Sequence, residues 1–361
     1  MMKRSLSLAL LFATATAAAA EVKISGYGRF GLDYNDRNAS SGVNGIGAPA
    51  NGVSSTTITS RLRLQFDFST ETDGAVTLGS RLRVEAESRD NVAVTPGFNG
   101  AYFFARYGGM TVGVGNILGA IDAMPGFKIN NPATGIGIDG AGFHDEVANV
   151  AANVAGQFGN WDAYSSTAAG PNGLEILYKS GAFSGHLSYS RTNTDIAPVG
   201  DGIPGNASPS NRTRIAMNLA YTFGDWTAVL GGQASDTAGE DKLILAVMGQ
   251  VGPVGLRFAY ADNEGIRKYG IYGDMDVGTA SNVLVFVTSE EAADAGAIAQ
   301  GRDNRDNVGP RVGALADTGG EGESYGVHYS YDLGGGASVE AGAVRSSNDQ
   351  TQVQAGVFFR F

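Results

Sequence analysis

The chain of 361 residues contains no cysteine. Disulfide scaffolds, thiol catalysis and cysteine-based zinc sites are thereby excluded, and the composition suits an oxidising envelope compartment. Beyond its first twenty residues the chain also lacks any run of 18 apolar residues, so helical membrane spans are not expected. Only three histidines are present, and His144, His186 and His328 are scattered, none at metal-ligand spacing from another. An H-E-x-x-H zinc motif is missing. Gly26-Tyr27-Gly28-Arg29-Phe30-Gly31 has the spacing of a dinucleotide loop, but it sits inside an alternating segment with no helix behind it, where the pattern carries no chemistry. His186, on one polar face with Ser184 and Ser188, reads as a wall residue of a strand rather than as half of a Ser–His pair. Neither an enzyme nor a metal site is expected. Basic charge is short as well: 25 lysines and arginines stand against 36 acids, which argues against nucleic acid as a partner.

Residues 1–20 carry Lys3 and Arg4, an apolar run from Leu8 to Phe12, and a small-residue exit ending in Ala18-Ala19-Ala20. This is the layout of a secretory signal peptide, and the mature chain is expected to run from Glu21 to Phe361 as one domain. Cleavage leaves 23 basic against 36 acidic residues, a formal charge of about −13. At the other end Phe361, Phe359, Val357, Ala355 and Val353 alternate with Arg360, Gly356, Gln354 and Gln352. A strand with one apolar and one polar face, stopping on Phe, fits the last strand of a barrel between lipid and water. A sheet that spans lipid must close so that no edge is left unpaired, which points to a β-barrel of a bacterial outer membrane. The 54 glycines show no collagen period and suit tightly paired, tilted strands.

Turn chemistry gives the strand count. Seven hairpins are expected, at Asp73-Gly74, Gly108-Gly109, Ser180-Gly181, Gly224-Asp225, Gly252-Pro253, Asp276 to Ser281 and Gly334 to Gly336. Their fourteen strands, with a first strand at 22–34 and a last at 351–361, predict a sixteen-stranded antiparallel barrel whose even count lets the ends meet. The connections at 35–56, 88–100, 115–173, 191–211 and 288–322 are longer and more polar. Short turns on one side and long loops on the other match the outer-membrane pattern, with the short turns periplasmic. The segment from Gly115 to Gly173 is long enough to require a role, and in a barrel it can fold inward and narrow the channel.

Alternation assigns the faces. Ile58, Leu62, Leu64, Phe66 and Phe68 oppose Thr57, Thr59, Arg61, Arg63, Gln65 and Asp67; Val76, Leu78, Leu82, Val84 and Ala86 oppose Thr77, Gly79, Arg81, Arg83, Glu85 and Glu87. A charge facing lipid costs roughly 2–4 kcal/mol at mid-membrane, so Arg61, Arg63, Arg81 and Arg83 are expected in the lumen. Lys23, Arg29 and Arg106 fall on neighbouring polar faces and extend this basic wall. A single arginine can instead be neutralised by Glu85, Glu87 or Asp67, or sit at the rim. The long loop brings the opposite sign through Asp122, Asp139, Asp145, Glu146 and Asp162, with Lys128 its only base. Asp139, Asp145 and Glu146, near its middle, are the preferred partners for a transverse field across the narrowest point. Tyr178, Tyr189, Tyr221, Phe223, Trp226, Tyr260, Tyr325, Tyr329, Tyr331 and Phe359 lie on apolar faces, often near turns, as interfacial girdles require.

The mature start Glu21-Val22-Lys23-Ile24-Ser25-Gly26, the segments Tyr221-Thr222-Phe223-Gly224 and Tyr260-Ala261-Asp262, and above all Tyr331-Asp332-Leu333-Gly334-Gly335-Gly336-Ala337-Ser338 resemble the general diffusion porins of Gram-negative bacteria, of the alphaproteobacterial, Rhodobacter-like type. The resemblance runs from Glu21 to Phe361. It implies a homotrimer in outer-membrane lipid and lipopolysaccharide, passive passage of ions and small hydrophilic solutes, and a third external loop, here 115–173, folded into each barrel opposite Arg61, Arg63, Arg81 and Arg83. A channel selective for small anionic solutes is the alternative reading. No cofactor is implied, apart from a loop-bound calcium that the resemblance leaves open, because this loop is longer and glycine-rich between Gly135 and Gly142.

Overall fold

Alternation of apolar and polar residues becomes strand along most of the described residues. In the computed structural model the described residues are 20–35, 54–89, 92–93, 96–126, 170, 172–193, 211–300, 303–305, 321–345, 347 and 351–361. The signal segment up to residue 19, and Lys128, Asp139, Asp145, Glu146 and Asp162 of the long loop, lie outside them. The strands are β1 (Glu21–Asn35), β2 (Thr56–Glu71), β3 (Thr77–Arg89), β4 (Val92–Ala93), β5 (Gly97–Phe98), β6 (Tyr102–Tyr107), β7 (Met110–Gly115), β8 (Asn172–Ser180) and β9 (Phe183–Asn193). They continue as β10 (Asn211–Phe223), β11 (Trp226–Ser235), β12 (Lys242–Val251), β13 (Val254–Asp262), β14 (Arg267–Val277), β15 (Ser281–Glu290), β16 (Gly322–Gly334), β17 (Ala337–Arg345) and β18 (Thr351–Arg360). A short helix, α1 (Ala295–Ala299), lies between β15 and β16.

Every pairing is antiparallel between neighbours, and β4, β5 and β6 all pair with β3. These three are pieces of one interrupted stave, so the eighteen segments form sixteen staves, the number expected. The segment 88–100 is therefore not a plain loop, because the edge of β3 finds partners there: Ser88 faces Ala93 and Val84 faces Phe98. Two smaller differences follow from the same need to pair backbone groups. β15 runs past Thr288 to Glu290, and the hairpin after β8 turns at 181–182. In the following loop the Asp294 carboxylate accepts the Ala297 N–H at 2.8 Å, which caps α1.

β1 pairs with both β2 and β18, and this closes the ring. Gly26 N–H donates to the Phe361 carbonyl at 2.9 Å and Phe361 N–H returns a bond to the Gly26 carbonyl at 3.1 Å. The glycines of the dinucleotide-like pattern have a packing reason. A Cβ on Gly26 would come within 2.9 Å of the Phe361 ring, and one on Gly28 within 2.3 Å of the Phe359 ring, so these glycines make room for aromatics across the seam.

Burial is inverted relative to a soluble sheet. On β2 the apolar Ile58 is 63% exposed and Leu62 44%, whereas Thr57 and Thr59 on the other face are 2% and 1% exposed. Apolar residues cover the outer face all round the ring, and polar ones dominate the inner face apart from patches such as Tyr272, Leu284, Phe286 and Val344, as a barrel in lipid allows. Tyr178, Tyr189, Tyr221, Phe223, Tyr325, Tyr329 and Tyr331 of the expected girdles are exposed on that outer face. Inside, β10 to β13 depart from the polar pattern: Ala216, Ala220, Val229, Ile244, Ala246, Ala259 and Ala261 form a buried apolar cluster on the inner wall.

Candidate functional site

The β2–β3 hairpin puts its charges in facing pairs. Its register sets Arg61 opposite Glu87, Arg63 opposite Glu85, Gln65 opposite Arg83 and Asp67 opposite Arg81. Directly opposed residues on one face of an antiparallel pair are close enough to interact, and here each arginine meets an acceptor. Glu85, 2% exposed, receives Arg61 on one oxygen and the Arg63 Nε on the other at 2.5 Å. Arg61 Nε also lies 3.5 Å from Glu87. Arg81 Nε donates to Asp67 at 2.7 Å, and Arg83 Nε to the Gln65 amide oxygen at 2.7 Å, while Gln65 donates to Asp67 at 2.6 Å. All four predicted arginines thus share one face, and the wall carries counter-charges of its own.

Aromatic rings support the cations from beneath. Arg63 and Arg29 lie over the Tyr27 ring at 5.3 and 5.9 Å, and Tyr27 stacks on Phe358 with centroids 5.6 Å apart. On the other flank Arg81 lies over Tyr102, Tyr102 stacks on Phe104, and Arg106 lies over Phe104 at 5.1 Å. Arg29 is buried within this array, whereas Lys23 and Arg106 are exposed. Lys23 faces Asp67 and Arg106 faces Thr77, so both stand near the β2–β3 turn, at the short-turn end of the wall.

The long loop begins on the inner wall away from these arginines. Ala120 N–H donates to the Ser188 hydroxyl at 2.9 Å, and the Asn218 amide donates to the Ala120 carbonyl at 2.6 Å. Ile117, Ala120, Ile121 and Met124 are buried. The Met124 sulfur occupies the space a Cβ of Gly231 would take, and Gly126 sits against Met248. The apolar inner cluster of β10 to β13 is therefore the seat of residues 116–126. Asp122, expected among the constriction acids, lies in this rooted part and is 8% exposed.

Two buried histidine–carboxylate pairs complete the inner wall. His186 Nε2 is 3.0 Å from Glu175, which confirms its place as a wall residue, and His328 Nε2 is 3.1 Å from Glu340. The pair at His328 was not legible before the register of β16 on β17 was known. At the short-turn end a cavity of about 510 Å³ is lined by Asp274, Asp276, Asn282, Asp332 and Arg360 among others. Gly322-Glu323-Ser324-Tyr325-Gly326 matches the letters of a nucleophile elbow, but it lies along β16, and the wholly buried Ser324 hydroxyl accepts the Ser347 N–H at 2.9 Å. Among the described residues no group of His, Asp or Glu is arranged to hold a metal ion.

A closed ring of sixteen antiparallel staves, apolar outside and charged within, is a transmembrane barrel of the channel-forming kind. A family model described as Gram-negative porin matches residues 7–351. The chain is 27% identical over 352 residues to the porin of Rhodobacter capsulatus, covering 94% of this chain and 100% of that one. It is 43% identical over 105 residues to the porin of Fuscovulum blasticum, a match of 29% of this chain and 32% of the relative. Its fold is similar to variants of the Rhodopseudomonas blastica porin, with TM-scores of 0.66 at 21% identity and 0.64 at 22% identity, each over 94% of this chain and 100% of the other. The chain belongs to the Gram-negative porin family. It is a passive channel of the outer membrane.

Proposed function

We propose that this channel is a water-filled pore for ions and small hydrophilic solutes, narrowed by a charged constriction between the β2–β3 wall and the loop that starts at Gly115. The observation that supports this is the seat of residues 116–126. Counting β4 to β6 as one stave, β12 is tenth in the ring and stands diametrically opposite β2, and Gly126 already reaches Met248 of β12. Arg29, Arg61, Arg63, Arg81 and Arg83 form the basic side, with Lys23 and Arg106 toward the periplasmic mouth, and Asp139, Asp145 and Glu146 are the loop's contribution. The anion-selective reading is weaker, because Arg61, Arg63 and Arg81 are ion-paired along the wall.

The assembly is a trimer. β7 has six residues, and β6, the longest unbroken piece of the stave beside it, has six as well. A six-residue strand extends about 20 Å and, tilted by about 40°, covers only about 15 Å of an apolar band about 25 Å tall. Neighbouring copies of the chain close that low stretch of wall, while lipid and lipopolysaccharide surround the rest. The amino terminus of the mature protein is Glu21, freed by signal cleavage. Planar-bilayer recording tests the function: stepwise, ohmic conductance with a finite reversal potential in a salt gradient is expected. Protein that inserts as a folded barrel and conducts nothing would refute it.

A further inference from the structure

A guanidinium is a fork of parallel N–H donors that fits a carboxylate or a phosphate, and arginines lining water normally offer that fork to passing anions. On this wall the forks are filled from within. Glu85 is almost wholly buried, its side chain 1% exposed, and its two oxygens are taken by Arg61 and by the Arg63 Nε at 2.5 Å. Arg61 is turned further to the wall by Glu87 at 3.5 Å, and Arg63 is laid on the Tyr27 ring. Asp67 does for Arg81 what Glu85 does for its pair, at 2.7 Å, in a more open place where the two side chains are 25% and 39% exposed. The arrangement is set by register rather than by chance contact. β2 carries its arginines at positions 61 and 63 and β3 carries its acids at 85 and 87, in facing order, with the signs reversed nearer the turn.

We propose that Glu85 is an internal counter-ligand: it occupies the arginine forks of the wall in place of a solute and so keeps Arg61 and Arg63 from retaining small phosphate-like anions. Glu85 is then the specificity-determining residue that makes a basic wall permissive to diffusion instead of anion-binding. It acts through the arginines it positions, without touching the solute. This rests on the constriction proposed above.

The test compares wild type, Glu85→Gln, Glu85→Asp and Arg63→Gln in planar bilayers, with reversal potentials in a KCl gradient and with inorganic pyrophosphate as the blocking probe. Glu85→Gln keeps the shape and removes the charge. Its half-blocking pyrophosphate concentration is expected to fall by at least about tenfold, since one or two charge-assisted bonds become available to the probe. The reversal potential should move toward anions, and Glu85→Asp should return both readings toward wild type. If Arg63→Gln moves the channel toward cations while Glu85→Gln blocks no better than wild type, the constriction stands and the counter-ligand role is overturned. If neither variant moves the reversal potential, the hairpin is not at the narrow point, and both readings fall. Should Glu85→Gln fail to assemble, Asp67→Asn makes the same comparison for Arg81, and no gain of pyrophosphate block there overturns the proposal.

Discussion

Replacing Leu245 with arginine separates a barrel in lipid from a sheet in water. Leu245 is in the middle of β12, 43% exposed on the outer face, and is paired with Leu230 and Tyr260 on the neighbouring strands. Were that face in water, an exposed substitution of this kind would change stability by no more than about 0.5 kcal/mol. At the bilayer midplane the same arginine costs about 2–4 kcal/mol, roughly a thirty-fold to several-hundred-fold change in the folding equilibrium. Gln250 on the same strand is the control, because it faces inward near the short turn and is exposed to the lumen. Gln250→Arg should fall within about 0.5 kcal/mol of wild type. Denaturant unfolding of protein reconstituted into vesicles measures both. A Leu245→Arg cost below about 0.5 kcal/mol, or equal costs for the two variants, would refute the assignment of faces.

Three further outcomes are expected. Replacing Arg81 and Arg83 together with serine leaves Asp67 without its cationic partner, so the pore should widen and its reversal potential shift toward cations with folding nearly intact; no shift would place these arginines outside the constriction. Mild detergent should release a particle about three times the mature mass, readable by light scattering, and a clean monomer would count against the low wall as a contact face. Glu240, in the connection between β11 and β12, is pushed up by burial but held on balance below its ordinary 4.5 by Arg214, Arg212 and Ser235. A lowered carboxyl stabilises the folded loop above its ordinary value and loses that stabilisation as pH falls through the lowered one. Amide protection at 236–241, taken relative to intrinsic exchange at each pH, should therefore fall only below about pH 4.5, and Glu240→Gln should weaken that dependence, leaving the part carried by Asp236, which the Thr213 N–H also holds low.

The barrel was legible because its signals are local. Gly-rich turns such as Gly224-Asp225 punctuate the chain, and period-two alternation names the lumenal arginines without any long-range information. The ion pairs were one step further away. A two-residue turn at Asp73-Gly74 would have set Arg63 opposite Val84; the turn is instead 72–76, centred on Gly74, and only that odd length sets Arg63 opposite Glu85 and Asp67 opposite Arg81. The apolar inner cluster was harder, because β12 reads Leu243-Ile244-Leu245-Ala246-Val247-Met248 with both faces apolar. Alternation has no contrast there, and only the docking of Ile121 and Met124 explains why the inner face is not polar. The interrupted stave at β4 to β6 was hidden by Pro96, Gly97 and Gly100, residues that signal a loop while the chain still pairs with β3.

The seam between Gly26 and Phe361 has an office in time as well as in space. The strands it joins are separated by nearly the whole sequence, so their contact is among the most non-local in the molecule and the slowest to find by diffusion. Until it forms, β1 and β18 each present an unpaired edge that any other chain could extend. An intermediate released early is therefore sticky at two places at once, and a chain cut before Phe361 loses both bonds at the point where the ring is sealed. β18 must be made before closure can begin, and the cell has to carry the open sheet safely until then.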